Sequence, residues 1–274
     1  MIREARLRDL LPAGSPSRLE ASGVVAADGH YLVVCDNLRA VAVIDADLSR
    51  VAANTLNPTG PGPGNGYEDI ARDPVTGHVF LLVESAERDG GHQARVEEYD
   101  ESFRFVAAGW LEYPLPRPNK GIEGLEFARR DDQVYLLGLH ESGGLLVFRP
   151  GRRNWRHVAT VDLPAGLPLA DFAGVSVAGA RIALLSQESA AVWVGELAPD
   201  KWAATGPGRV RRFPRGYCTV EGVCWLGPES MVVVSDRAKR DSRPARCREK
   251  EESLHVLDLD DLSPAGPVNP AGPR

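Results

Sequence analysis

One short phrase recurs five times along the chain, at intervals of 46 to 55 residues. It is a small or acidic residue, then Gly or Asp, then an aliphatic. The copies are Ser22-Gly23-Val24, Glu68-Asp69-Ile70, Glu123-Gly124-Leu125, Ala173-Gly174-Val175 and Glu221-Gly222-Val223. After each copy, beyond a turn with Gly or Asp, comes an aliphatic run closing on a polar residue, at 31–36, 79–84, 134–140, 182–187 and 231–236. A unit of this length, built of short strands, cannot bury its own faces and must stack against copies of itself. The period predicts an all-β fold, a five-bladed β-propeller with one four-stranded sheet per repeat.

The blades are expected near 21–57, 67–110, 121–163, 171–213 and 220–259. The fifth supplies only three strands, so the segment 4–10 is predicted to complete it, stapling the chain ends together and removing an open edge. Residues 1–262 are read as a single propeller domain, and 263–274, rich in Pro, Gly and Ala, as a frayed tail. The 21 Pro and 28 Gly lie mostly between the aliphatic runs, as short strands joined by many turns require. A net charge of -6 lacks the basic footprint of a general nucleic-acid binder. The first residues carry no apolar signal core, and no apolar run approaches the roughly 20 residues of a membrane helix. The expectation is therefore a cytoplasmic monomer with neither nucleic acid nor membrane as partner. In a reducing compartment Cys35, Cys218, Cys224 and Cys247 are expected as thiols, and no spacing among them reads as a zinc site. Cys218 and Cys247 are placed at the same channel mouth, and the sequence leaves open whether they bridge.

In a propeller the first strand of each blade faces the central channel, and its start shares a face with the end of the second strand. The first-strand starts are Ser22, Glu68, Glu123, Ala173 and Glu221; the second-strand ends are Asp36, Glu84, His140, Gln187 and Asp236. Several carboxylates at one mouth raise one another's pKa and lose hydration, a cost that a bound cation removes. An all-oxygen set suits calcium or another hard divalent cation. Glu68, Glu123 and Glu221 are the candidate ligands, with Asp236 assisting. The competing reading makes each Glu a structural acceptor for the neighbouring blade's backbone.

Loops at 58–66 and 114–121 and the segment 237–252 are expected on the same face. The last holds seven basic residues against four acidic ones. Long loops at one end of a rigid scaffold commonly carry binding residues. Lys120, Arg237 and Lys239 are candidates to orient a small anionic molecule, and His140 or Glu84 to take a proton. The competing readings are a solvated loop that pairs with its own acids, and a His that bonds across the channel.

The stretch Asn119-Lys120-Gly121-Ile122-Glu123-Gly124-Leu125 resembles the Asn-x-Gly-x-Glu-Gly-Leu motif of phytase-like, esterase-like propellers and the related SdiA-regulated proteins. That resemblance implies a propeller with calcium binding and hydrolysis of esters or phosphoesters, and it adds Asn119 to the substrate-binding candidates. The Glu-Gly phrase is also similar to gluconolactonase-like propellers, which implies Glu123 as a metal ligand. Those groups have more blades or a secretory context, whereas this sequence has five copies and no signal. The stretches 217–223 and 235–239 with Cys247 resemble uncharacterised bacterial propellers.

The functional expectation is a metal-assisted hydrolase of a small anionic ester, lactone or phosphoester. The alternatives are a non-catalytic ligand- or protein-binding scaffold and a metal-free isomerase or cyclase that uses the channel carboxylates.

Overall fold

The computed structural model describes residues 2–60, 66–117, 120–237 and 244–264. Strand β1 (Arg3–Arg6) leads into a single helical turn, α1 (Leu7–Leu10). The rest follows as antiparallel meanders in chain order. The first is β2 (Ala21–Ala27), β3 (His30–Cys35), β4 (Leu38–Asp45) and β5 (Thr55–Pro58). The second is β6 (Asp69–Arg72), β7 (Val79–Arg88), β8 (Gly91–Tyr99) and β9 (Phe105–Glu112). The third is β10 (Ile122–Arg130), β11 (Gln133–His140), β12 (Leu145–Pro150) and β13 (Trp155–Thr160). These two merge into one eight-stranded sheet because β13 meets β9 in parallel at Trp155–Leu111 and Arg156–Glu112.

Next come β14 (Gly174–Ala178), β15 (Arg181–Ser186), β16 (Ala191–Glu196) and β17 (Arg209–Arg212), and then β18 (Val220–Trp225) and β19 (Ser230–Ser235). A second helical turn, α2 (Ala245–Arg248), precedes β20 (Ser253–Asp258) and a two-residue β21 (Ser263–Pro264). β1 supplies the fourth strand beside β20, with Arg3 opposite Val256 and Arg6 opposite Ser253. β21, at the start of the expected tail, pairs with β17; residues 265–274 lie outside the described part.

The aliphatic runs are continuous because both faces of these sheets are covered. In β11, Leu136 packs toward the second meander with Phe80 and Phe148, while Leu137 and Leu139 pack toward the fourth with Val175 and Trp193. A separate core lies between each meander and the next. One of them joins the last to the first, where Val232, Val234 and Cys224 meet Val24, Val33 and Ile44. The first strands are neighbours in a closed cycle: β2 by β6, β6 by β10, β10 by β14, β14 by β18, β18 by β2.

That cycle explains the Gly of the repeated phrase. A Cβ on Gly174 would stand 2.5 Å from the carbonyl oxygen of Glu221, and one on Gly222 would stand 2.7 Å from that of Ser22. At these two positions the neighbouring first strand lies so close that only a residue without a side chain fits. The second copy has Asp69 there, and its carboxyl bridges onward, accepting N–H bonds from Leu125 at 2.7 Å and from Ile70 at 2.8 Å.

The thiol expectation holds for Cys35 and Cys224, both buried, and is corrected for Cys218 and Cys247, which form a disulfide. The turn α2 folds back and brings Cys247 within a Cα separation of 5.5 Å of Cys218. Among the described residues no helix is long and apolar enough to cross a membrane.

Candidate functional site

The repeat residue gains its position from a β-bulge. Ala21 pairs with Cys35 and Gly23 with Val34, so Ser22 is the extra residue. Glu123 is likewise extra between Ile122–His140 and Gly124–Leu139, and Glu221 between Val220–Ser235 and Gly222–Val234. A bulge withdraws its residue from the ladder and re-aims the side chain. Here all five repeat residues, Ser22, Glu68, Glu123, Ala173 and Glu221, line one cavity of about 230 Å³. Asp36, Glu141, Asp171, Phe172 and Gln187 complete the wall. Among the described residues, six carboxyl side chains and no Lys or Arg face this space.

Asp36 and Gln187 stand where the second-strand ends were expected. His140 does not, and the reason is a slip of one residue. Asp36 donates its backbone N–H to Glu20, two before Ser22, and Glu141 donates its own to Gly121, two before Glu123. Glu141 is therefore the equivalent of Asp36, and His140 sits on the opposite side of the strand. His140 hydrogen-bonds through Nδ1 to Ser142 at 2.8 Å. Burial lowers its pKa, against the pull of Glu141, so the imidazole is neutral at pH 7.

Glu123 is the electrostatic centre of the cavity. Burial pushes its carboxyl well above the usual carboxylate range, and Glu68, Glu84 and Glu141 raise it further. Glu84 hydrogen-bonds to it, so the two carboxyls share a proton across the wall. Other acids are held by neighbours: Gln187 donates to Glu221, Ser186 to Asp171, and Lys120 pairs with Glu141 at 2.7 Å.

Lys120 is thus committed to a carboxylate at the rim. Asp236 is buried beside the mouth but does not line it; its carboxylate takes the Arg237 backbone N–H. The Arg237 guanidinium lies 4.0 Å from Glu252. Asn119 and Lys239 lie outside the described residues. The described part of the basic segment is fastened to the closing strand: Lys250 pairs with Glu4, Arg6 reaches the Arg248 carbonyl at 3.2 Å, and Cys247 is bonded to Cys218. None of it lines the cavity. Among the described residues, no three His, Cys, Asp or Glu side chains are gathered as a ready-made metal cage.

Sequence reasoning missed Glu141, Asp171 and Phe172. Asp171 and Phe172 directly precede the Ala173 copy of the phrase, a cue hidden because the other copies have dissimilar residues there.

Other side chains tie first strands to their neighbours. Besides Asp69, Glu126 accepts from the Val177 N–H and the Ser176 hydroxyl at 3.1 Å. Ser176 Oγ accepts from the Trp225 N–H at 3.1 Å, and Cys224 Sγ from the Ala26 N–H at 3.4 Å. Burial pushes the Glu126 carboxyl up to about 7 even though its three donors favour the ionised form. A carboxyl raised on folding stabilises fully below its unfolded pKa, and that contribution fades as pH rises through the folded value. The loss expected between pH 4.5 and 7.5 is on the order of 3 kcal/mol. Denaturant unfolding over that range should show a steeper fall for the parent chain than for Glu126→Gln. Parallel curves would remove Glu126 as the cause.

One constellation has the layout of a hydrolytic triad. Ser235 Oγ lies 2.9 Å from His255 Nε2, and His255 Nδ1 lies 3.1 Å from Glu4 Oε2. Ser235 and His255 are completely buried. The group fastens β1 to β20 and β19 in the interior. Glu4 is held well below the usual carboxylate range, chiefly by the His255 hydrogen bond, against its own burial and with help from Lys250 and Tyr217.

No protein-family model and no curated protein sequence matches the chain. Solved structures do match. The PQQ-bound aldose sugar dehydrogenase of Streptomyces coelicolor superposes with a TM-score of 0.53 at 13% identity, over 94% of this chain and 98% of that one. The glutaminyl cyclase of Myxococcus xanthus gives 0.50 at 12% identity, over 96% of each chain. A chain of a nidogen/laminin complex gives 0.50 at 12% identity, over 90% of this chain and 78% of that one. At such identities the likeness concerns the fold alone: the chain is an all-β protein of several four-stranded antiparallel sheets, distantly similar in structure to β-propeller proteins.

Proposed function

We propose that the chain is a five-bladed β-propeller whose acidic central cavity binds a hard divalent cation, calcium foremost, and hydrolyses a small ester, lactone or phosphoester there. The blade count is supported by the closed cycle of the first strands β2, β6, β10, β14 and β18. The observation that carries the function is the cavity wall: among the described residues six carboxyl side chains line it, three of them at the repeat position, with no Lys or Arg.

Glu68, Glu123 and Glu221 would hold the ion, in keeping with the preference of hard cations for carboxylate oxygen. The donor chemistry fits, although the site is not a finished cage, and the Gln187–Glu221 bond must yield on binding. When bound, a divalent cation lowers the pKa of a water ligand, polarises an ester or phosphoryl oxygen and brings the positive charge that the lining lacks. The chain itself contributes the Glu84–Glu123 pair, which holds a proton at the wall within reach of a substrate in the cavity. Phe172 gives the wall its one aromatic face. Lys120, paired with Glu141 at the rim, and Arg237, 4.0 Å from Glu252, would have to leave these carboxylates to orient an anion.

A second reading rests on the Glu84–Glu123 bond alone. A proton-sharing pair is a general acid and base without any metal, as a metal-free isomerase or cyclase would require.

Melting curves with and without calcium, beside Glu123→Gln, distinguish the two. Calcium is expected to raise the melting temperature of the parent chain by mass action. In Glu123→Gln that rise should vanish, with calcium affinity down by about tenfold or more. In chelator the variant should melt above the parent, because a crowded buried carboxyl has become a neutral amide. A parent chain indifferent to calcium, magnesium and chelator alike would sink the cation reading and leave the proton-sharing pair.

A further inference from the structure

Away from the acidic cavity, the hairpin between β12 and β13 carries Arg149, Arg152, Arg153 and Arg156 within eight residues. The ladder sets Arg149 directly opposite Arg156. Like charges facing each other across strands destabilise a sheet unless an anion lies between them. All four arginines are exposed, and among the described residues none takes part in an ion pair. Elsewhere on this acidic chain arginines do find carboxylates, as Arg39 does with Glu97, Arg72 with Asp28 and Arg181 with Glu229.

The tip is held firmly. The Trp110 N–H donates to Asn154 Oδ1 at 3.3 Å, and Asn154 Nδ2 donates to Glu112 Oε1 at 3.1 Å. Gly109 lets the hairpin lie close, since a Cβ there would stand 2.7 Å from the Arg153 carbonyl oxygen. The arginines therefore project from a platform docked on β9. Arg152, Arg153 and Arg156 line a cavity of about 420 Å³ together with Asn154 and a single carboxylate, Glu112, which Asn154 Nδ2 already engages. An adjoining one of about 210 Å³ shares Arg152 and Arg153 and adds Phe80 and Trp155.

We propose that this cleft binds a small phosphorylated molecule through the guanidinium groups of Arg149, Arg152, Arg153 and Arg156. The guanidinium fork matches phosphoryl oxygens two at a time, and several forks on one rigid tip suit two adjacent phosphoryl groups. The volumes are those of a small-ligand site. A long polyanion fits less well, because a chain with a net charge of -6 repels it beyond the tip. This site is independent of the acidic cavity.

Titration calorimetry of the whole chain with inorganic pyrophosphate at low ionic strength tests the assignment, with orthophosphate alongside. Pyrophosphate is expected to bind more tightly than orthophosphate. The double variant Arg152→Ala/Arg153→Ala should weaken it by about tenfold or more. Arg156→Gln should weaken it as well. The pair Arg209→Ala/Arg211→Ala on β17 should leave it unchanged. Absence of pyrophosphate binding, an equal loss in the β17 pair, or binding of heparin without pyrophosphate would each overturn the proposal.

Discussion

Deletion of residues 1–11 is expected to leave a chain with no cooperative melting transition. The segment is the fourth strand beside β20 and also part of a core: Leu7, Leu10 and Leu11 are 0%, 3% and 1% exposed. Removing one buried Leu side chain costs about 2–5 kcal/mol, and three such losses reach the whole stability of an ordinary domain, about 5–15 kcal/mol. The cut also exposes the edge of β20 and strands His255 without Glu4. Leu7→Ala gives the graded version, a loss of about 3 kcal/mol in denaturant unfolding. A truncated chain that melts cooperatively near the parent temperature would show that the remaining sheets close without β1.

Gly174→Ala is expected to be nearly as damaging, although it adds a single methyl group. Its Cβ would lie 2.5 Å from the Glu221 carbonyl oxygen, and both partners are backbone of first strands packed on two sides. Overpacking commonly costs about 1–3 kcal/mol, and a clash that no side chain can relieve belongs at the top of that range. The displaced strand carries Glu221, so calcium response should fall together with stability. Gly206→Ala is the control, with no atom within 4 Å of its Cβ. Equal melting temperatures for the two variants would refute the close-packed cycle of first strands.

The same geometry explains what was readable in the chain. The repeated phrase was legible because each of its letters answers one constraint: a bulged residue aimed inward, a residue small enough for the neighbouring strand, and an aliphatic returning to the core. The closing strand was legible from the count, since β18 to β20 fall one short of a four-stranded sheet. The His140–Glu141 slip was not. The run at 134–140 is one residue longer than its counterpart at 31–36, and alignment by its polar end lands on the wrong side of the strand. The ties between first strands were hidden for a different reason. Asp69, Glu126, Ser176 and Cys224 share a task but no side-chain type, because an acceptor for one N–H can be carboxyl, hydroxyl or thiol. The bridge of Cys218 to Cys247 depends on the fold-back at α2, which has no periodicity to read.

The cavity is lopsided although the scaffold around it repeats. Glu68, Glu123 and Glu141 come from the second and third meanders, while the fourth adds Phe172 and Ala173 beside the carboxyl of Asp171. Rotation by one repeat carries the backbone onto itself but not the charge. On the proposed cation reading, an ion would meet more carboxyl oxygens on the side of Glu68, Glu123 and Glu141, and an apolar group would meet Phe172.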